Sequence, residues 1–177
     1  MIDTMKKKIF SYIKSLLCKR DKNVCVNKGA HVFSSANLKA TRGGSIRVGK
    51  ALINDNAFIC ASGGFIVIED NVSINRNTII VAKQKVIVGG GSSIGPNVCI
   101  YDHNHKIDKS GFYKDEFVTT PIKIGRNVWV AANCTILKGT IIGDNSIIGA
   151  GCVLSGEIPP NTLVKTDRNL QLIPLHD

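Results

Sequence analysis

Residues 124–154 read I-G-R-N-V-W-V-A-A-N-C-T-I-L-K-G-T-I-I-G-D-N-S-I-I-G-A-G-C-V-L, and within them an aliphatic side chain returns at every sixth position: Ile124, Val130, Ile136, Ile142, Ile148 and Leu154. A small residue follows most of these, at Gly125, Ala131, Gly143, Gly149 and Ser155. Four places after each of the first five stands another small or β-branched residue: Val128, Cys134, Thr140, Ser146 and Cys152. A helix needs apolar positions about every 3.6 residues and a half-buried strand about every two, so neither element alone explains a period of six. A coil with three flat faces does. Each hexapeptide then makes one short strand and one turn, the aliphatic residue points inward, and the small residue fits a tight corner. Stacked coils pair every strand with the coils above and below and bury a continuous apolar core.

Outward from this stretch the same pattern appears as Val88-Gly89 with Ser92, Ile94-Gly95 with Val98, and Ile100. Further upstream it reads Ile68-Glu69 with Val72, Ile74-Asn75 with Thr78, and Val48-Gly49, with a weaker start at Val26, Val32 and Leu38. The repeat thus predicts an all-β solenoid over 23–158, preceded by a basic segment (1–22) and followed by a tail (159–177). It fails between Ile100 and Ile124, where residues 101–123 must leave one corner as an extruded loop. Near the N-terminus Ile9, Ile13, Leu16 and Leu17 have helical spacing with lysines opposite, which predicts a short amphipathic helix over Met5 to Leu17. Two roles are open to it: capping the first coil or a neighbouring subunit, or gripping an anionic membrane through residues 1–20.

Composition supports this architecture. A chain of 177 residues with 44% hydrophobic content forms one domain with a sizeable core, and its 6% aromatic content favours short strands over helices packed on large side chains. About half of the +10 net charge lies in residues 1–22, and no basic stripe interleaved with aromatics follows, so nucleic acid is not an expected partner. The six cysteines have no C-x-x-C spacing and read as free thiols of a reducing cytosol. The N-terminal apolar run is too short and interrupted for a signal peptide or a membrane span. The run Gly89 to Gly95 lacks the spacing of a dinucleotide loop and lies inside the six-residue register.

Chemistry points to the extruded loop, because loops on a rigid scaffold commonly carry function and this one holds His103 and His105. His31 and His176 lie in a weak early repeat and in the tail, where a structural or solvated role is expected. Asp102, His103, His105 and Asp108 lack second-site ligands, so no metal is expected.

The run Asp102-His103-Asn104-His105, with P-I-K-I-G-R-N-V-W-V at 121–130, G-D-N-S-I-I-G-A-G at 143–151 and I-P-P-N at 158–161, resembles the hexapeptide-repeat acyltransferases. The similarity is to the branch of galactoside, maltose and capsular-polysaccharide O-acetyltransferases. That resemblance implies a left-handed parallel β-helix, a homotrimer, and acetyl-CoA bound along the cleft between neighbouring helices. It implies an acetyl-CoA-dependent O-acetyltransferase of polysaccharide biosynthesis that acts on a saccharide hydroxyl. The expected location is the cytoplasm, peripheral to the inner face of the cell membrane. The alternatives are N-acetylation of an amino sugar, acetylation of another small hydroxyl acceptor, or a non-catalytic β-helix that serves as a binding or assembly module.

Residue by residue, the resemblance implies that His105 is the general base, since it matches the family's spacing to Pro121 and Trp129 without a gap. His103 is the second candidate, and His103 or Asp102 would orient the base or line the pocket. Asn75 falls at the family's acceptor-binding asparagine and equally suits a tight corner. Trp129 would wall the acceptor or cofactor cleft, and a backbone N–H near Ala132 would meet the oxyanion. Ala150 and Gly151 would let the pantetheine arm lie against the coil. Lys138, Lys165 and Arg168 would meet the cofactor's phosphates, although residues 162–169 (T-L-V-K-T-D-R-N) depart from the family's closing segment.

Overall fold

The computed structural model describes residues 22–166, and the predicted N-terminal helix lies outside them. Every solenoid strand pairs in parallel with its equivalents in the coils above and below, building three faces of one prism. Face one stacks Val24–Val26, Ser45–Val48, Phe65–Ile68, Lys85–Val88, Ile122–Ile124, Ile141–Ile142 and Glu157–Ile158. Face two stacks His31–Val32, Leu52–Ile53, Ser73–Ile74, Ser93–Ile94, Trp129–Val130, Ile147–Ile148 and Leu163–Val164. Face three stacks Asn37–Thr41, Phe58–Ser62, Ile79–Ala82, Cys99–Tyr101, Thr135–Ile136 and Val153–Leu154. This is the left-handed parallel β-helix of the sequence reading. Strand pairing continues through Val164, beyond residue 158 where the regular hexapeptides end.

Alternation along each strand sends one side chain inward and the next outward. In Phe65–Ile68, Ile66 and Ile68 are buried while Phe65 is exposed. The core is a single column of aliphatic side chains, with Ile46, Ile53, Ile59, Ile74, Ile80, Ile94, Ile100, Ile124 and Ile136 fully enclosed. The small residues of the repeat turn inward at the corners, and their hydroxyls satisfy carbonyls of the next coil. Thr78 Oγ1 donates to the Gly95 carbonyl at 2.8 Å, and Ser92 Oγ to that of Gly125 at 2.9 Å.

Corners dictate the remaining residue choices. Among the described residues eight asparagines take left-handed backbone angles there, with φ from 53° to 60°, a conformation Asn tolerates better than other side chains. Their amides form ladders from coil to coil, Asn127 to Asn145 at 3.1 Å and Asn145 to Asn161 at 3.2 Å. At Gly143 the coils approach so closely that a Cβ would collide with the backbone nitrogen of Pro160.

Coil length explains why the repeat reads cleanly only in its second half. Lys123 pairs with Ile141, a coil of 18 residues, whereas Ile46 pairs with Ile66 and Ile66 with Val86, coils of 20. The extra pair sits where face three turns into face one, at Gly63-Gly64 and Lys83-Gln84, and shifts the hexapeptide register by two. At the same corner of the next coil the chain departs after Tyr101. The predicted extruded loop is an ordered two-stranded antiparallel arm, His103–Asp108 paired with Gly111–Thr119, and the solenoid resumes at Ile122. Its turn is closed by the Ser110 N–H donating to Asp108 Oδ1 at 2.7 Å and by Gly111 at a φ of 113°. Among the described residues no helix is long and apolar enough to cross a membrane.

The fully enclosed Ile94 cannot be truncated without leaving a void. Ile94→Ala is expected to cost about 2–5 kcal/mol in a urea denaturation experiment, whereas truncation of the exposed Val153 on face three should cost less than about 1 kcal/mol.

Candidate active site

The arm is bolted to the prism by one buried carboxylate. Asp102, the first residue past face three, has no exposed surface. Its Oδ1 accepts the backbone N–H of Lys83 at 2.8 Å, and its Oδ2 accepts those of Gln84 and Lys85, both at 2.7 Å. These three N–H groups belong to the corner one coil below. The imidazole of His103 completes the set, with Nδ1 3.0 Å from Oδ1. Burial opposes ionisation, but the bond from His103 and the three backbone donors outweigh it and hold this carboxyl below the ordinary aspartate range. The side chain is fully enclosed, which corrects the expectation that Asp102 lines the substrate pocket and leaves it an orienting role. It sets the arm's root and the ring of His103.

The two imidazoles lie on one face of the arm, joined by Phe117. That ring stands 5.5 Å from the ring of His103 and 4.7 Å from the ring of His105, and Phe112 meets His105 at 5.7 Å. His103 is mostly enclosed and His105 is exposed. His105 Nδ1 lies 3.1 Å from the carbonyl oxygen of Tyr113. A carbonyl only accepts, so Nδ1 carries a proton and, in the neutral ring, Nε2 holds the free lone pair. The ionised Asp102 imposes the same tautomer on His103. In the neutral form of either ring Nε2 is therefore the basic nitrogen. Asp108 is occupied by the Tyr113 hydroxyl at 2.7 Å and by the turn.

The other predicted residues gather at a different corner, where face two turns into face three. Asn75, Ala132, Ala150 with Gly151, and Lys165 occupy it in the third, fifth, sixth and seventh coils. Trp129 stands just before it on face two, half-exposed at 53% and level with Ser93. Asn75 and Ala132 are partly buried, and the Asn75 N–H donates to the Ile94 carbonyl at 2.9 Å. Lys165 stacks over Gly149. Lys138 does not join this line. It lies at the arm's corner, next to Gly139, whose N–H donates to Thr120. Arg168 lies outside the described residues.

A whole face thus divides the imidazoles from the Asn75 line within one chain. Four residues of strand, Ile79–Ala82, span that face, which at about 3.3 Å each keeps the corners more than about 13 Å apart. Two clefts, of about 730 and 480 Å³, run along face one, and neither contains an imidazole, Asn75 or Trp129. Sequence reasoning missed Phe117 and Lys83, whose ammonium lies 3.6 Å from the Phe117 ring centre. The two are 34 residues apart, and no local spacing announces their contact.

Residues 121–156 match the family described as bacterial transferase hexapeptide (six repeats). The chain is 34% identical over 123 residues to nodulation protein L of Rhizobium meliloti, covering 70% of this chain and 67% of that protein. It is 35% identical over 118 residues to the galactoside O-acetyltransferase of Escherichia coli, covering 64% and 58%. A solved mutant of AntD, an N-acyltransferase from Bacillus cereus in complex with dTDP-4-amino-4,6-dideoxyglucose and coenzyme A, superposes with a TM-score of 0.69 at 14% identity, over 84% of this chain and 83% of that one; the likeness is one of fold. The protein belongs to the hexapeptide-repeat transferase family. It spans little more than half the length of the first curated relatives it matches, between 54% and 58%.

Replacing Asp102 tests its role as the bolt. Asn offers one acceptor and one donor where four donors converge, so Asp102→Asn should cost about 2–3 kcal/mol at neutral pH and expose the arm to limited proteolysis. Because the folded carboxyl titrates below its unfolded value, its stabilisation is complete above the ordinary aspartate range and is lost as pH falls through the lowered value. The wild type should therefore lose more stability than Asp102→Asn between about pH 5 and pH 2 in the same urea experiment.

Proposed function

We propose that this protein transfers the acetyl group of acetyl-CoA to a hydroxyl of a saccharide, with His105 as general base. The observation that carries the reading is an exposed imidazole whose Nδ1 is committed to a carbonyl, so that Nε2 is the only nitrogen left to take a proton. A sugar hydroxyl is a weak nucleophile. Removal of its proton by Nε2 as the oxygen attacks the thioester carbon is typically worth about 10²- to 10⁴-fold in rate. The carbonyl oxygen gains negative charge, and the Ala132 N–H, without an internal partner among the described residues, is a donor available to it. Collapse expels the CoA thiolate, which takes the proton back from the imidazolium. Relatives that are named acetyltransferases support the donor. A second reading gives the base role to His103, because its contact with the buried Asp102 at 3.0 Å makes a carboxylate–imidazole pair.

The same proposal makes the working unit a homotrimer. The arm's imidazoles and the line of Asn75, Ala132 and Gly151 stand at different corners of one chain. In a closed three-fold ring the arm of one copy meets that line on its neighbour. Half-exposed apolar side chains on face two, Trp129, Ile147 and Leu163, suit such a contact. The setting we propose is the cytoplasmic face of the cell membrane, supported by the lysines among residues 1–20.

Three experiments test these readings. With acetyl-CoA and a panel of sugars, His105→Ala should lower thiol release at least about a hundredfold and His103→Ala less; the reverse order would hand the base role to His103. Mixing His105→Ala chains with Asn75→Ala chains, each inactive alone, should restore about a quarter of wild-type activity, the share of sites random assembly makes complete. No recovery would exclude a shared site. Deleting residues 1–20 should abolish co-sedimentation with anionic vesicles, and unchanged binding would remove the membrane role.

A further inference from the structure

At the arm's root the solenoid presents a cation, Lys83, that the arm's residues do not neutralise. The Lys83 backbone is pinned by Asp102 at 2.8 Å, so its position at the arm's root is fixed. Its ammonium rests on the Phe117 ring, one ring away from both imidazoles. The carboxylates nearby are committed elsewhere. Glu116 pairs with Lys106 at 2.6 Å, Asp108 holds Tyr113 and the turn, and Asp102 is saturated by backbone donors and His103. Asp115 is exposed and makes no ion pair among the described residues. At the other corner Arg76 directly follows Asn75, is exposed, and likewise has neither ion pair nor side-chain hydrogen bond among the described residues. The acid one coil below it, Asp55, accepts the Ser35 hydroxyl at 2.7 Å.

Each half of the site therefore has an unpaired cation beside its key polar residue: Lys83 beside the imidazoles, Arg76 beside Asn75. Covering such a charge with a neutral ligand removes water from it and returns nothing, whereas an anionic ligand replaces the lost hydration with charge-assisted hydrogen bonds. A guanidinium also matches the two oxygens of a carboxylate or phosphate in a way a neutral hydroxyl cannot.

We propose that the saccharide acceptor bears a negative charge, carboxylate or phosphate, close to the hydroxyl that is acetylated, and that Lys83 and Arg76 select it. This rests on the acetyl-transfer reading above and narrows its substrate class to acidic saccharides. Kinetics with matched sets of a hexose, its hexuronic acid and its hexose phosphate test it, the last two separating the two sources of charge. The wild type should favour at least one charged member over the neutral hexose by about tenfold or more in kcat/KM. Lys83→Gln and Arg76→Gln should each shrink that ratio at least about fivefold, chiefly through the KM of the charged acceptor, while Lys83→Arg and Arg76→Lys largely keep it. Raised salt should erode the preference as well. Equal or better use of the neutral hexose, or a ratio that both Gln variants leave unchanged, would overturn the charge selection while leaving acetyl transfer intact. Absence of acetyl-CoA binding together with absence of any product would overturn both.

Discussion

Stacking of like on like is the constraint from which this molecule follows. Each coil donates its backbone hydrogen bonds to the coil beside it, at an inter-strand spacing of about 4.8 Å, so every face must repeat the same geometry at the same height. Inward positions become aliphatic columns, and corners favour Asn or Gly at the left-handed positions and a small residue where the chain turns inward. Because a coil is bonded only to its neighbours, stability accumulates locally along the prism. The one long departure, between Tyr101 and Ile122, is tolerated because the strands on either side still pair in register: Val86 with Ile122, Ser93 with Trp129, Cys99 with Thr135.

Much of this could be read from the chain itself. The run from Ile124 to Leu154 follows coils of 18 residues, in which six divides evenly, and there the inward positions were legible to the residue. Upstream the coils lengthen to 20 or more, so the period slips at each third corner even though the fold does not change. The arm was legible as an interruption and not as a hairpin. Its alternation is broken by the irregularity between His105 and Lys106, and its strands lack a buried face to give them a two-residue apolar pattern.

The candidate site residues came from two kinds of signal. The broken repeat pointed to His103 and His105. Family resemblance pointed to Asn75, Ala132 and Ala150, and the prism brings the three to one corner. Long-range pairs carry none. Asp102 looked like a polar loop residue, yet it faces the backbone of residues 83–85, which ordinary residues supply and no side-chain pattern betrays. Lys138 shares its basic character with Lys165, and only the fold separates them onto different corners.

Asp102 has a consequence for how such a protein diversifies. One carboxylate seals the junction between scaffold and appendage, and the coils above and below keep their pairing whatever is spliced between them. The appendage can therefore be lengthened, shortened or exchanged at a single graft point without renegotiating the prism, and the line of corner residues from Asn75 to Lys165 stays as it is.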